Sequence, residues 1–235
     1  MQEQWNYNPG YLPGDPRHGL MPSELLEFYC SRPATWLIRC TYGPDGLSKR
    51  ESALPAHISY LYARRDQIQF VGPIYSDDGQ HPIGSWLMIR AADLTAAEKF
   101  IAGEGFVQAG MIADIKISRF VETSSSERRQ LDITIDPKKQ LFLCELRDGK
   151  DGADKRTHTG PLHHAYQRSI AGNIIAHGPI RTDDCSRAIG SALILSVDNK
   201  EHATTLVMNE PMAKAGVFET IRISRWRFGK SINDR

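Results

Sequence analysis

The sequence has almost no excess of charge of either sign. Its 29 Lys and Arg residues nearly balance 28 Asp and Glu residues, which gives a formal net charge of +1. Proteins that bind nucleic acid or an anionic membrane usually carry a basic surface, so we expect neither partner. No apolar run approaches the ~20 residues of a membrane-spanning helix, and the first residues lack the apolar core of a secretory signal. These absences predict a cytoplasmic protein.

Cysteine is scarce, and the common cofactor motifs are missing. The four cysteines, Cys30, Cys40, Cys144 and Cys185, form no CxxC pair. This spacing predicts neither a zinc site nor a disulfide framework, in keeping with a reducing compartment. The sequence also has no glycine-rich phosphate loop, Rossmann fingerprint or zinc motif. We therefore expect no cofactor and no resident metal.

What the sequence does contain is a long internal repeat. Gly72-Pro73-Ile74 recurs as Gly178-Pro179-Ile180, and Ile117-Ser118-Arg119 recurs as Ile223-Ser224-Arg225, always at the same offset of 106 residues. Self-similarity at a fixed offset indicates a duplicated structural unit. Because the offset is much longer than a solenoid or propeller repeat, each copy is the size of a domain.

Both copies have the same order of predicted elements. In the first copy the hydrophobic pattern predicts strands at 36–40, 68–71, 85–89 and 111–120, with helices at about 55–65 and 95–102. We place the start of the first helix near Pro55, where proline is tolerated, and the end of the second strand at Gly72-Pro73. The order β-α-β-β-α-β is the ferredoxin-like arrangement. The expected fold is α+β, with two tandem ferredoxin-like domains forming an intrachain pseudo-dimer α+β barrel.

Segments outside the repeats complete the expected organisation. Trp5, Tyr7 and Tyr11 predict an arm that packs against the rest of the protein, and Ser23 is the candidate N-cap of a short helix. Alternation over 131–135 allows an extra edge strand. The predicted divisions are an arm (1–33), a first domain (34–121), a linker (122–139), a second domain (140–227) and a tail (228–235).

Of the eight histidines, His57 and His163 are the matched pair. Each follows a proline by two residues and precedes a matched tyrosine, Tyr60 or Tyr166, by three. Histidine is the usual general acid or base near neutral pH. The alternative is a structural histidine that forms a hydrogen bond across the sheet.

Three sets of carboxylates also recur. Asp77 and Asp78 follow a Gly-Pro dipeptide, as Asp183 and Asp184 do in the second copy, and Glu104 and Glu210 follow the second helix. A carboxylate beside an imidazole orients it and stabilises its cation. Two alternatives remain: the aspartates serve local turn hydrogen bonds, or they join His57 in binding a divalent metal.

These residues together resemble the YCII-related family. The resemblance lies in a histidine of the first helix, a strand ending in Gly-Pro, a loop acid, and the closing pattern Ala-Gly followed by Ile-x-x-Phe, which ends in Phe120 and becomes Trp226 in the second copy. It implies a dimeric α+β barrel with a His–acid pair in a pocket, and some members act as dechlorinating lyases. The family's Asp-Pro-aromatic motif is Glu104-Gly105-Phe106 and Glu210-Pro211-Met212 here, and Leu54 and Gly160 replace its arginine.

The expected function is that of a cofactor-independent enzyme of secondary metabolism. It would carry out lyase, isomerase or cyclase chemistry by proton transfer on a small cyclic or aromatic-pathway compound. Trp36, Tyr60, Trp86 and Phe106 are the candidate pocket walls in the first copy, with Tyr166 in the second. Because Trp86 corresponds to Ala192, the two pockets should be unequal. The alternative is a non-catalytic ligand-binding or assembly module of the same fold, and homo-oligomer formation is open.

Overall fold

A single closed barrel with helices outside it is built by the two copies. The computed structural model describes residues 11–31, 34–123 and 128–233. After α1 (Pro22–Cys30), the first copy contains β1 (Thr35–Tyr42), α2 (Gly46–Tyr62), β2 (Ile68–Tyr75), β3 (Pro82–Arg90), α3 (Leu94–Ala102), α4 (Gly105–Gln108) and β4 (Ile112–Phe120). The second contains β5 (Gln140–Asp148), α5 (Gly152–Ser169), β6 (Ile174–Arg181), β7 (Ala188–Val197), α6 (Lys200–Asn209), α7 (Pro211–Lys214) and β8 (Phe218–Trp226).

The strand order confirms the predicted α+β barrel. Around the barrel it runs β1-β3-β2-β8-β5-β7-β6-β4, so each copy supplies one ferredoxin-like half. Antiparallel contacts close the two seams between the halves: Ile74 of β2 lies opposite Trp226 of β8, and Phe120 of β4 lies opposite Ile180 of β6. The copies are therefore each other's packing partners, as expected of a dimer fused into one chain.

Side chains from both copies fill the barrel interior. Because neighbouring residues of a strand face opposite sides of the sheet, Trp86 of β3 packs inside the barrel with Trp226 and Ile194. The next residue, Leu87, packs instead with Leu61 of α2 in the layer between sheet and helices. Each copy thus has its own helix–sheet layer outside a shared core, and the candidate histidines lie on the helices of these outer layers.

Each of the long helices α2 and α5 contains its proline in the interior. The prediction that the helix begins near Pro55 is wrong, because α2 begins nine residues earlier, at Gly46. A proline at this point removes the hydrogen bond to the carbonyl of Glu51. Both residues are exposed, so water can bind that carbonyl, and the same holds for Pro161 and Thr157 in α5. His57 consequently lies well inside α2 rather than in its first turn.

Each Gly-Pro dipeptide lies inside a strand. The prediction that the second strand ends at Gly72-Pro73 is therefore wrong. A Cβ atom added to Gly72 would lie 1.8 Å from the carbonyl oxygen of Arg227, and one added to Gly178 would lie 1.9 Å from that of Val121. Only glycine permits so close an approach of two backbones. The chain leaving the last strand of each copy therefore runs along the second strand of the other copy, and this close crossing explains why both glycines recur.

The N-terminal arm packs against the second copy. The Tyr11 ring contacts that of His164 in α5, with 4.5 Å between centroids, and its hydroxyl forms a hydrogen bond with that of Tyr29 at 2.5 Å, whereas Trp5 and Tyr7 lie outside the described residues. Helix α1 has Met21 as its N-cap, so the prediction of Ser23 is wrong. Pro22 at the first helical position, where its missing N–H has no intrahelical partner, moves the start of the helix forward.

The predicted edge strand at 131–135 does not form. The chain makes a 3₁₀ turn at Gln130–Asp132 because the buried side chain of Gln130 is held at both ends. Its Oε1 accepts a hydrogen bond from the backbone of Val71 at 3.0 Å, and its Nε2 donates to the carbonyl of Gly229 at 2.6 Å. Within the described ranges, the helices lack the combination of length and apolar character that a bilayer-spanning segment needs.

A disulfide joins Cys30 at the end of α1 to Cys185 in the β6–β7 loop, with a Cα–Cα distance of 5.9 Å. The expectation of no disulfide is therefore wrong. The partners are 155 residues apart in the sequence and neither is repeated in the other copy, so spacing could not reveal them. Cys40 and Cys144 are free and buried, and burial raises the pKa of Cys40 to about 12.

The Cys30→Ser variant should be less stable, because the disulfide restricts the unfolded chain and fastens α1 to the second copy. We expect the free energy of unfolding to fall by about 2 kcal/mol, measured by urea denaturation. Wild-type protein unfolded in the presence of a thiol reductant is the matched control and should behave like the variant. A reductant that leaves the unfolding curve unchanged would contradict the assignment.

Candidate active site

Both matched histidines form a hydrogen bond with a matched glutamate. The Nδ1 atom of His57 lies 2.5 Å from Oε1 of Glu104, and the Nδ1 atom of His163 lies 2.5 Å from Oε1 of Glu210. Although glutamate is one methylene longer than the family's aspartate, it reaches the ring in each copy. A carboxylate accepts hydrogen bonds, so Nδ1 carries the proton and Nε2 is the nitrogen that can accept one.

The position of each glutamate is fixed by the short helix that follows it. Glu104 is the N-cap of α4, where its Oε2 accepts the backbone N–H of Phe106 at 3.0 Å. Glu210 is the N-cap of α7 in the same way and accepts the backbone N–H of Ala213 at 3.0 Å. One carboxylate oxygen is thus held by backbone while the other orients the imidazole, which is why the pair has the same geometry twice.

The pair in the first copy is enclosed by protein. His57 is only 8% exposed, and its ring is stacked on that of Phe106 at 3.9 Å between centroids. A Cβ atom on Gly105 would lie 2.4 Å from the backbone nitrogen of His57, so glycine lets α4 lie directly against α2. This close packing encloses the imidazole of His57.

The pair in the second copy faces a cavity of about 150 Å³, lined by His163 and Glu210. Here Pro211 takes the place of Gly105. Since proline has the Cβ that glycine lacks, α7 cannot approach α5 as closely as α4 approaches α2. The flexible Met212, which also lines the cavity, replaces the aromatic ring that covers His57. These two substitutions in one short helix remove contacts that enclose His57 in the first copy.

The other walls of this cavity come from the sheet, helices α5 and α6, and the N-terminal arm. Tyr11 and Tyr29 close one side, and Arg156 lies on another. The Arg156 guanidinium binds both carboxylate oxygens of Asp148, at 2.6 and 2.7 Å, and donates to the Ser191 hydroxyl at 3.0 Å. The site thus combines apolar walls with a small number of oriented polar groups, as ligand pockets usually do.

The predicted aromatic walls occupy different places. Trp36 and Trp86 are 1% and 0% exposed and serve as packing residues, and Phe106 covers His57. Tyr60 lies at the surface of the first copy, where its hydroxyl donates to the carbonyl of Phe100 at 2.6 Å. Tyr166 does line the cavity beside His163. The two copies are unequal, but the bulky residues of the first copy fill space that the second copy leaves open.

Two of the loop aspartates stabilise their own turns. Asp78 accepts hydrogen bonds from the Ser76 hydroxyl and from the backbone of Gln80 at 2.5 and 2.9 Å. Asp184 is bonded in the same manner, and its bond from the Thr182 hydroxyl is the main reason that its pKa is lowered to about 2. Both carboxylates are exposed, so these contacts are local turn chemistry.

The other two loop aspartates are also engaged away from the imidazoles. Asp77 forms an exposed ion pair with Lys200 at 2.7 Å, and the backbone carbonyl of Asp183 accepts a hydrogen bond from Arg119 at 3.0 Å. The structure therefore brings each histidine to its glutamate and not to these aspartates. No group of three or more His, Cys, Asp or Glu side chains in the described ranges is arranged to hold a metal ion.

The sequence did not identify Arg156, Tyr11 or Tyr29 as residues of the site, since the matched pairs Lys49-Arg50 and Lys155-Arg156 favoured solvated surface over anion binding. Arg156 recurs as Arg50, which signals a shared structural position but not which copy has a cavity. The two tyrosines come from the arm, which has no counterpart in the repeat. Their role could be recognised only once the fold had brought the arm against α5.

Comparison with known proteins supports this architecture. A model of the YCII-related domain matches residues 34–121 and again residues 140–227, while no match is found among curated proteins. One similar structure is 5-chloro-2-hydroxyhydroquinone dehydrochlorinase (TftG) from Burkholderia phenoliruptrix AC1100 in complex with 2,5-dihydroxybenzoquinone. It is 30% identical, with 38% of this chain and 96% of that chain covered and a TM-score of 0.36.

A second similar structure is a mutant chlorite dismutase from Candidatus Nitrospira defluvii. It is 9% identical, with 86% of this chain and 95% of that chain covered and a TM-score of 0.54, a likeness of fold alone. The two domain matches together cover most of the chain, which therefore belongs to the YCII-related domain family and carries its domain twice.

Proposed function

We propose that this protein is a small-molecule enzyme whose active site is the cavity of the second copy. The observation that carries the proposal is the His163–Glu210 pair in the wall of that cavity, while the identical pair of the first copy is packed against Phe106. An imidazole oriented by a carboxylate is the usual arrangement of a general acid–base catalyst. The proposed reaction class is proton transfer on a ring compound: elimination, isomerisation or cyclisation.

The geometry assigns a role to each polar group of the cavity. Because Nδ1 of His163 is bonded to Glu210, Nε2 takes the proton, and the Glu210 carboxylate stabilises the imidazolium that forms. The electron pair left by that proton moves into the ring and places negative charge on a ring oxygen. Nε and Nη2 of Arg156 are engaged by Asp148 and Ser191, so Nη1, which lies 3.5 Å from the Met212 sulfur, is the donor that would stabilise this charge. The imidazolium then returns its proton to the product or to the leaving group.

The size of the cavity supports a substrate with one ring. An apolar protein cavity of about 150 Å³ holds a molecule of the size of benzene, and this cavity has about that volume. Leu193, Leu195 and Phe218 supply apolar contacts, and the tyrosine hydroxyls of the arm supply polar ones. Hydroxylated and chlorinated quinols, the kind of compound in the name of the Burkholderia dehydrochlorinase, are accordingly the first substrates to test.

Met212→Phe tests the location of the active site without changing an ionisable group. The substitution gives His163 the ring that covers His57 in the first copy, so it should fill the cavity. We expect binding of the quinol to weaken by at least about tenfold, because one ring displaces the other. The measurement is KM, or ligand affinity by calorimetry, beside the midpoint of thermal unfolding.

The reciprocal variant Phe106→Met is the matched control. It changes the same position of the other copy and should leave binding and turnover at the wild-type level. If Phe106→Met weakens binding as much as Met212→Phe does, the active site is not confined to the second copy. If neither variant has an effect although both fold, the cavity beside His163 is not the binding site.

A further inference from the structure

A second, more polar cavity adjoins the cavity beside His163. Its volume is about 260 Å³, and it lies between the arm, α5, β6 and the linker residues Thr123 and Arg128. Tyr11, Thr123, His164 and Gln167 line both cavities. A substituent on a ligand bound beside His163 can therefore extend into this second cavity.

Positively charged side chains dominate the second cavity. Its lining includes Arg17, Arg128 and Arg168, against the single carboxylate of Asp15, so the formal charge of these four groups is +2. The imidazoles of His164 and His177 also face it. Burial, together with the nearby His163 and Arg17, lowers the pKa of His164 to about 3 and that of His177 to about 4. Both rings are thus neutral at pH 7 in a positive field.

Contacts with the protein hold Arg17 and Arg128 in position and use only some of their N–H groups. Arg17 is 9% exposed, forms an ion pair with Asp15 at 2.7 Å and donates to the backbone carbonyl of Thr123 at 2.9 Å. Arg128 uses Nη1 for the carbonyls of Ile174 and Ile175, at 3.2 and 3.3 Å. A guanidinium has five N–H donors in a fixed fork, so the remaining N–H groups of Arg128 can bind a ligand.

The first copy lacks this cluster. The positions that match His164, Arg168 and His177 are Ile58, Tyr62 and Val71, so the first copy has neither the two imidazoles nor the arginine. Arg17 and Arg128 belong to the arm and linker and have no repeat partner. The cationic side chains therefore accompany the open histidine cavity and are missing beside the closed one.

We propose that the second cavity binds an oxyanion, a carboxylate or phosphate group, carried by the ring compound that lies beside His163. Arginine pairs well with such groups because its planar fork matches two oxygens. The position of the ring rests on the proposed function, whereas the oxyanion site rests on the cation cluster alone. The substrate class is accordingly narrowed to acidic ring compounds with the ring in the first cavity and the acid in the second.

The probes are acetate, inorganic phosphate and benzoate, added to the full-length protein at neutral pH. Proton–carbon spectra of the imidazole groups report on His163, His164 and His177 separately. Acetate or phosphate should shift the signals of His164 and His177 in a saturable way, and benzoate should shift those of His163 as well. Arg128→Gln should lower the affinity for benzoate by at least about tenfold, the loss expected for one charge-assisted hydrogen bond. Arg168→Gln, at the end of α5, is the second variant in case the first does not fold.

Arg222→Gln is the control for net charge, since it makes the same chemical change at an exposed position of β8, away from the cavity. Absence of saturable shifts with all three probes would overturn the oxyanion site, as would an equal loss of affinity in Arg222→Gln. If benzoate shifts the signals of His164 and His177 but not those of His163, the ring of the bound compound does not lie beside His163. Normal turnover in a His163 variant would contradict the proposed function but would leave the acetate result unchanged. Failure of the proposed function can thus be distinguished from failure of the oxyanion site.

Discussion

His163→Ala should lower kcat by about 10²–10⁴, the usual contribution of a positioned general base, whereas His57→Ala should leave kcat near the wild-type value. The difference follows from their surroundings, because the two rings have the same glutamate bond at 2.5 Å, but His163 lines a cavity whereas His57 is stacked on Phe106. Kinetics with a quinol substrate give kcat and KM for each variant. Thermal unfolding of both shows whether lost packing, and not lost chemistry, is responsible.

Glu210→Gln separates the orientation of the ring from its chemistry. Glutamine keeps the size of the side chain and can still form a hydrogen bond to His163, but it removes the charge that stabilises the imidazolium. We expect a fall in kcat with little change in KM, while the matched variant Glu104→Gln affects stability alone.

Equal loss of turnover in His57→Ala and His163→Ala would mean that both copies contribute to one site. Unchanged turnover in both would end the histidine mechanism.

Trp86→Ala should lower the free energy of unfolding by about 3–5 kcal/mol, the range for removing a large aromatic side chain from a core. Trp86 is fully buried inside the barrel and packs edge-to-face on Trp226, with 5.8 Å between ring centroids. Its loss leaves a void where strands of both copies meet, and partial collapse cannot refill a closed barrel. Urea denaturation measures the effect. Turnover of the folded fraction should persist, because the ring lies inside the barrel and His163 lies outside it.

Trp86→Phe is the control that keeps most of the ring. The indole nitrogen of Trp86 is buried and has no hydrogen-bond partner among the described residues. Replacing it with phenylalanine removes that unpaired group along with part of the packing, so we expect a much smaller loss of stability. If Trp86→Ala and Trp86→Phe are equally stable, the packing of the barrel core does not depend on this ring. If Trp86→Ala also abolishes turnover, Trp86 would have a role in the site.

The repeat made the architecture predictable from the sequence. Alternation in the strands and the matched dipeptides predicted two ferredoxin-like halves, and the closed barrel confirms them. Local signals were less reliable where tertiary contacts compete with them. Pro55 did not begin its helix because water can satisfy the freed carbonyl, and Gly72 did not end its strand because it lets another backbone pass at close range.

The candidate site divides in the same way. Matching of the copies singled out His57, His163, Glu104 and Glu210, but it equally singled out aspartates that stabilise turns. Only the interatomic distances identify the acid that pairs with each histidine, because the N-cap geometry that brings Glu210 to His163 depends on where α7 begins. The disulfide and the tyrosines of the arm also lay beyond the sequence, because contacts between segments over a hundred residues apart leave no periodic trace.

By itself, the sequence determined that this protein is a duplicated domain with a histidine and several acids retained in each copy. Hydrophobic periodicity and duplication are local or one-dimensional properties, so a single chain displays them fully. Only the tertiary structure decided that the first histidine is packed and the second is open. That outcome depends on how closely two helices approach each other, which Gly105 and Pro211 set by the presence of one Cβ atom, and on the arm and linker residues that the fold brings over the second cavity.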